Sequence, residues 1–214
     1  MDFCGEYMSR CVIVGGAEIR RYDEVKNYLR PGDYYIFCDN GLRHLEALGI
    51  QPDLIIGDFD SHAVPHLPVE TIFLPREKDD TDSVYAAREA VKRGFNEFLL
   101  IGVVGDRIDH SLGNLSILLK LDSLGLRGMI VDDYSEMEIV SGEAAEIGPE
   151  FPFFSLLNIS GTARGVNIEN AKFPLKDGEI DCEYQYGVSN EPLSGKTARV
   201  TVAQGRLLLV RDRR

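Results

Sequence analysis

Leu54-Ile55-Ile56-Gly57-Asp58-Phe59-Asp60-Ser61 is a strand-like apolar run that leads straight into two carboxylates. Three β-prone residues reach a glycine, and the acids stand where the strand must end. The arrangement recurs: Asp39-Asn40-Gly41 follows the apolar run 34–38, and Gly105-Asp106-Arg107-Ile108-Asp109-His110 follows the run 98–104. A fourth acidic segment, Lys78-Asp79-Asp80-Thr81-Asp82, precedes a helical pattern. Similar short runs at 11–15, 71–74 and 128–131 complete a set of strands. Between them lie helical stretches at 22–29, 41–48, 82–93 and 109–124, with Gly49 and Gly94 as stops. The last carries Leu112, Leu115, Leu118 and Leu119 on one face. Strands alternating with helices predict an α/β domain, its mainly parallel sheet covered by helices on both faces.

The pattern changes near Ser135. Beyond it no helical periodicity occurs, and short strands are expected at 138–140, 153–159, 165–168, 179–186, 198–202 and 206–210. Turn residues separate them, and Asp177-Gly178 reads as a hairpin turn. Regular spacing of this kind predicts an all-β C-terminal sandwich. The expected division is residues 1–135 and residues 136–214.

Net charge is −12, from 23 basic and 35 acidic side chains, which argues against nucleic acid or an anionic membrane as partner. No apolar run approaches the ~20 residues that span a bilayer. The acidic start, Asp2 and Glu6, does not fit a signal peptide. The cysteines (Cys4, Cys11, Cys38 and Cys182) form no C-x-x-C pair, so buried free thiols in a reducing cytoplasm are expected.

In open α/β sheets the carboxyl edge of the strands is the ligand edge, so the acidic segments are expected to converge. Carboxylates about 4 Å apart repel by about 4 kcal/mol per pair at an effective dielectric near 20. Protons or a metal ion must neutralise such a cluster, and oxygen-only ligands beside phosphate point to Mg²⁺. The pattern therefore predicts a magnesium-dependent phosphoryl or pyrophosphoryl transfer site.

Each segment has a plainer reading as well. In extended geometry Asp58 and Asp60 share one side while Phe59 points away, which suits one cation; a bare D-x-D is equally a loop that caps a helix. Lys78 to Asp82 fits a helix N-terminus, with one carboxylate capping and at least one facing metal, and Lys78 suits phosphate. Asp39-Asn40-Gly41 alone is an ordinary strand-to-helix turn. Around Gly105 a glycine turn enters a helix whose free N–H groups favour anions, Arg107 can fork onto phosphate, and His110 and Asn114 lie one turn apart. Gly15-Gly16 belongs to no dinucleotide or P-loop fingerprint. Gly187-Val188-Ser189-Asn190-Glu191 is either a turn or a polar edge for a heteroaromatic ligand.

Taken in order, these segments resemble the thiamine pyrophosphokinase (thiamine diphosphokinase) family. Its pattern has an Asp-Gly-Gly-like turn, P-D-x-x-x-G-D-F-D-S, K/Q-D-x-T-D, G-x-R-x-D-H with a following Asn, and a late G-x-S-N. Here these read Asp39 to Gly41, Pro52 to Ser61, Lys78 to Asp82, Gly105 to Asn114, and Gly187 to Asn190. The resemblance implies a homodimer that converts ATP and thiamine to AMP and thiamine diphosphate. The first domain would bind nucleotide and the second would bind thiamine. Asp58, Asp60, Asp79 and Asp82 are the candidate Mg²⁺ ligands, and Asp58, Asp60, Asp82 and Asp109 the candidate catalytic acids. Asp39, Asn40, Gly41 and Lys78, with Thr81, Arg107, His110 and Asn114, are the candidate nucleotide and phosphate contacts. Ser189 and Asn190 fall to thiamine. Two departures stand out: Asn40 replaces the usual glycine, and there is no tryptophan to stack on thiamine. Competing readings are a D-x-D nucleotide-sugar transferase, a metal-dependent phosphohydrolase, and a non-catalytic nucleotide- or thiamine-binding regulator.

Overall fold

Cys11, Val12, Ile13 and Val14 have no solvent exposure, which marks β1 (Cys11–Val14) as a central strand covered on both faces. In the computed structural model, which describes residues 10–59, 67–75, 77, 80–105 and 107–214, the chain divides into units Met1–Asp133 and Tyr134–Arg214. In the first unit β1 pairs in parallel with β2 (Tyr34–Cys38) and with β5 (Glu97–Ile101). β3 (Leu54–Gly57), β4 (Glu70–Phe73) and β6 (Arg127–Val131) extend the sheet in the order β4-β3-β2-β1-β5-β6.

Successive strand residues point to opposite faces, and the helices divide accordingly. Val12, Val14, Phe37, Leu99 and Ile101 pack with Val25 of α1 (Tyr22–Lys26) and with Leu45 and Leu48 of α2 (Leu45–Leu48). On the other face the Cys38 thiol meets Ser83 of α3 (Asp82–Lys92), and Gly128 lies under Leu118 and Leu121 of α4 (Ile108–Ser123). α3 contacts β3, β2 and β1 on its way back to β5. From β1 the chain runs to one side of the sheet, and from β5 to the other. The crevice between β1 and β5 is thus the topological switch point, where such sheets bind ligands.

The strands expected in this unit all form, whereas some helix details differ. The stretch expected to start at Gly41 opens instead as a 3-10 helix, Asp39–His44, that runs directly into α2. At three residues per turn, Gly41 and His44 share the buried side while Asn40 and Arg43 share the exposed one. The face of α4 also differs. Ser111, Asn114, Ile117, Leu118 and Leu121 are its buried residues, and Leu112 is 60% exposed. Leucine spacing misled because two of the inward positions are polar and find hydrogen-bond partners in the loop after β5.

The second unit holds two antiparallel assemblies and no helix. β13 (Leu207–Asp212) pairs with β7 (Ser135–Val140) and β9 (Phe153–Leu157). β10 (Thr162–Glu169) pairs with β11 (Leu175–Asp181) and β12 (Ala198–Thr201), and β12 with β8 (Ala145–Ile147). Leu156, Leu207 and Leu209 from the first assembly and Val166, Ile180 and Val200 from the second share one apolar core, which makes the unit a sandwich. Asp177-Gly178 is not a hairpin turn. Both residues lie inside β11, where Asp177 has φ +51° and the β10–β11 register shifts. The pair signals tolerance of positive φ, and here a bulge uses it. Cys11 and Cys38 are buried free thiols as expected, while Cys182 is exposed. Among the described residues no helix is long and apolar enough to cross a membrane.

Two glycines give opposite expectations for alanine. A Cβ on Gly41 would press on the Val14 carbonyl oxygen, whereas a Cβ on Gly113 in α4 meets nothing within 4 Å. Gly41→Ala should therefore cost about 1–3 kcal/mol, and Gly113→Ala should stabilise by about 0.5–1 kcal/mol. Thermal and urea unfolding of the two variants checks both signs.

Candidate active site

The first unit carries a cleft of about 780 Å³ at the carboxyl ends of β1, β2, β3 and β5. Backbone forms much of its floor. A Cβ on Gly15 would lie 2.5 Å from the Gly102 carbonyl oxygen, and one on Gly102, at φ +62°, would lie 2.6 Å from that of Gly15. Only glycine lets the two chains meet there. The Gly15 N–H donates to Ile101 O at 2.9 Å and the Ala17 N–H to Gly102 O at 2.8 Å, so the segment after β1 is sewn to the end of β5.

Acids rise around this floor. Asp39, 4% exposed, sits against Gly57, where a Cβ would stand 2.5 Å from its own. Asp58 follows from β3, and Asp82 from the first turn of α3. The three carboxylates line one cleft, as the strand-end reading requires. Asp60, Lys78 and Asp79, the other expected ligands, lie outside the described residues. Gly41 does not line the cleft; it lets the 3-10 helix close on Val14.

Two local expectations are corrected. Phe59 has φ +50°, left-handed backbone rather than the extended geometry from which Asp58 and Asp60 were paired, and its ring packs on Phe73 at 5.4 Å. A bulky side chain in that region is held there against its own preference. At the α3 N-terminus the capping residue is Thr81. The Thr81 hydroxyl accepts the Val84 N–H at 3.3 Å, and Asp80 pairs with Arg88 at 2.6 Å. Thr81 thus both caps and lines the cleft. Asp53 is likewise structural, accepting the Tyr35 N–H at 2.8 Å.

The positive side of the cleft comes from Arg43 and Arg107 and from the N-termini of α3 and α4, and His110 lines it as well. Helix N-termini favour anions through unbonded N–H groups and the dipole. Asn114 is buried and donates Nδ2–H to Val103 O at 2.7 Å. Ser111 accepts the Gly105 N–H at 3.0 Å, which ties the loop to its helix. Asp109 is not among the lining residues. It holds Arg107 bidentately, Nε to Oδ1 at 3.0 Å and Nη2 to Oδ2 at 2.5 Å, with both side chains mostly exposed. The guanidinium keeps the Asp109 carboxyl far below the usual carboxylate range.

Among the described residues no three His, Cys, Asp or Glu side chains form a ready metal cage. The donors present nevertheless fit Mg²⁺, which is commonly held by one or two carboxylates together with waters and substrate phosphates. Oxygen acids opposite guanidinium groups suit a polyphosphate bridged by a divalent cation. Sequence reading missed Gly15 to Glu18, Arg43 and Ser111. Gly15-Gly16 directly after a strand was the available signal, set aside because it fits no phosphate-loop fingerprint.

In the second unit Ser189 is exposed at φ +57°, its N–H donating to Ser155 Oγ at 3.0 Å. Asn190 is 3% exposed. Its Oδ1 accepts the Phe173 and Glu191 N–H groups at 3.0 and 2.9 Å, and its Nδ2 donates to Phe173 O at 2.8 Å. The expectation that Asn190 touches a ligand is therefore revised: its amide holds two backbone segments together, and Ser189 is the exposed polar group of the pair.

A family model described as "Thiamin pyrophosphokinase, catalytic domain" matches residues 25–130, which carry most of these cleft residues. The chain belongs to the thiamine pyrophosphokinase family, a family of transferases. Thiamine pyrophosphokinase of Bacillus subtilis (strain 168) is 25% identical over 212 residues, covering 94% of this chain and 97% of that protein. The solved thiamine pyrophosphokinase from Bacillus subtilis superposes with a TM-score of 0.84 at 22% identity, over 95% of this chain and 99% of that one. The yeast enzyme's structure does so with 0.75 at 13% identity, over 98% and 87%. At such identities the structural likeness speaks for a shared thiamine pyrophosphokinase fold.

Arg107→Ala should raise the Asp109 pKa toward the ordinary value for aspartate, because the cation that favours the charged form is gone. NMR titration of the Asp109 carboxyl carbon reads this directly. An unmoved titration would mean that the pair does not form in solution.

Proposed function

We propose that this protein transfers the pyrophosphoryl group of ATP to the hydroxyl of thiamine, giving thiamine diphosphate and AMP. The observation that carries this reading is the convergence of Asp39, Asp58 and Asp82 with Arg43 and Arg107 on one cleft at the switch point of a family member's sheet. Carboxylates and guanidinium groups lining one cleft are complementary to a metal-bound polyphosphate.

In this reading the first unit binds nucleotide and the second binds thiamine. Asp58 and Asp82, with Asp60 and Asp79, hold Mg²⁺, which when bound neutralises triphosphate charge. Arg107 leaves Asp109 to fork onto phosphate oxygens, assisted by Lys78, His110 and the α4 N-terminus. The released Asp109 carboxylate then orients the phosphates or the attacking hydroxyl. Thr81, Asn40 and Asn114 shape the nucleotide side of the cleft. The thiamine hydroxyl attacks the β-phosphorus, the bond to the α-phosphate oxygen breaks, and AMP leaves with that oxygen. Positioning and charge stabilisation do most of the work, as in other phosphoryl transfers. Ser189 offers its hydroxyl to thiamine on a loop that Asn190 holds in place. A homodimer is part of the proposal: Ile108 and Leu112, 70% and 60% exposed on α4, are apolar groups that a second copy would cover.

A coupled assay for AMP, with ATP and Mg²⁺, separates this reading from its rivals. AMP should form only when thiamine is present. AMP or phosphate released without thiamine favours a phosphohydrolase, and ligand binding without turnover favours a regulator. Within the same assay Asp58→Asn and Asp82→Asn should each lower kcat by about 10²–10³-fold, with circular dichroism unchanged. Wild-type turnover in both would remove these acids from the metal site.

Substituting the exposed arm of the second unit gives an independent check. Ser189→Ala should raise the KM for thiamine while leaving the KM for ATP within about twofold, since a lost hydrogen bond is worth about 0.5–1.5 kcal/mol. Steady-state kinetics with each substrate varied in turn decide it.

A further inference from the structure

His44 does not line the cleft, yet it is bonded to the segment on which the cleft is built. It is 2% exposed, on the inward side of the 3-10 helix Asp39–His44. Its Nε2 lies 2.9 Å from the Ala17 carbonyl oxygen and its Nδ1 2.7 Å from the Tyr22 hydroxyl. A carbonyl only accepts, so Nε2 carries the proton and Nδ1 accepts from Tyr22. Both ring nitrogens are therefore engaged with the ring neutral. Burial, and secondarily the Arg43 charge, push the imidazole below its ordinary pKa and favour that neutral form.

The Ala17 peptide is where three ligand loops meet. Its N–H goes to Gly102 O at 2.8 Å and its C=O receives His44. Just before it, Gly16 lies so close to the Asn40 side chain that no Cβ would fit. On its other side a Cβ on Gly105 would stand 2.9 Å from the Ala17 Cβ. Asn40, Gly16, Ala17, Glu18 and Gly105 all line the cleft. Moving the Ala17 carbonyl thus moves the Asn40 turn and the loop that presents Arg107.

We propose that His44 is a positioning residue of the nucleotide cleft, acting through its Nε2–H bond to the Ala17 carbonyl. The proposal rests on the nucleotide reading of that cleft. Truncation or loss of this bond loosens a backbone element that touches ligand, whereas loss of the Tyr22 bond removes stability without touching it.

The two ring nitrogens can be separated by substitution. A glutamine amide nitrogen reaches about as far as Nε2, and an asparagine amide only as far as Nδ1. Titration calorimetry of the full chain with Mg-ATP, with melting temperatures alongside, compares His44→Gln, His44→Asn and Tyr22→Phe. His44→Gln should bind Mg-ATP within about twofold of wild type, and His44→Asn about tenfold more weakly, roughly the effect of one buried hydrogen bond. Tyr22→Phe should melt at a lower temperature yet bind within about twofold. Affinities that follow melting temperature across the three variants would make His44 merely structural and overturn the proposal, as would unchanged binding in His44→Asn. Absence of Mg-ATP binding by wild type overturns the nucleotide reading and this proposal with it. The unmodified chain supplies a second measurement that needs no variant to fold. Because coupling is reciprocal, Mg-ATP should slow solvent exchange of the His44 Nε2–H proton in NMR spectra. An exchange rate that nucleotide leaves unchanged overturns the proposal.

Discussion

The contact between Gly15 and Gly102 is the constraint on which the rest of the first unit depends. Parallel strands β1 and β5 end side by side, and their chains must then part to opposite sides of the sheet. With a Cβ on either residue the backbones could not meet, as the 2.5 and 2.6 Å approaches require. Because they do meet, the Ala17 N–H reaches Gly102 O, and the segment after β1 is held against the end of β5. Side chains from the neighbouring strand ends line the cleft beside it. The same logic repeats outward: Gly57 admits Asp39, and Gly16 admits Asn40. Glycine here supplies proximity more than flexibility.

That proximity creates an electrostatic problem which the structure divides into parts. Several acids in this region are occupied by the fold itself. Asp53 holds a strand N–H, Asp80 pairs with Arg88, and Asp133 accepts the N–H groups of Arg20 and Arg21 ahead of α1. Asp39, Asp58 and Asp82 share the cleft with Arg43, Arg107 and two helix N-termini. Acids beside guanidinium groups and helix N-termini form an arrangement that a metal-bridged polyanion complements.

The second unit solves a different problem, that of irregular backbone between short strands. Buried amides bond segments that no ladder joins. Asn190 ties the segment Gly187 to Glu191 to Phe173, and Asn158 donates to Ile180 O at 2.7 Å while Gln185 bonds back to its carbonyl. A buried amide left unmatched would be expensive, so each is matched at both ends. Such a scaffold leaves the loop around Val188 and Ser189 exposed and in defined geometry.

The sequence alone determined the elements and their order. Apolar runs of strand length followed by Asp, with helical periodicity between them, encode a parallel sheet with acids at its carboxyl edge, because side-chain burial and backbone preference are local properties. It also determined that Asp39, Asp58, Asp82, Arg107, His110 and Asn114 would meet, since one sheet edge collects every strand end. Tertiary structure alone decided what each polar atom does there. That α4 turns Ser111 and Asn114 inward and leaves Leu112 exposed, and that Asn190 bonds backbone, depends on partners in other segments, while the choice of Thr81 as the α3 cap is a local competition among neighbouring polar residues. The left-handed Phe59 is likewise a conformation that neighbours impose against local preference. His44 was silent in the sequence, and Gly15-Gly16 visible but unassignable, for the same reason: the importance of a missing Cβ, or of an imidazole proton, exists only once the opposing backbone is in place.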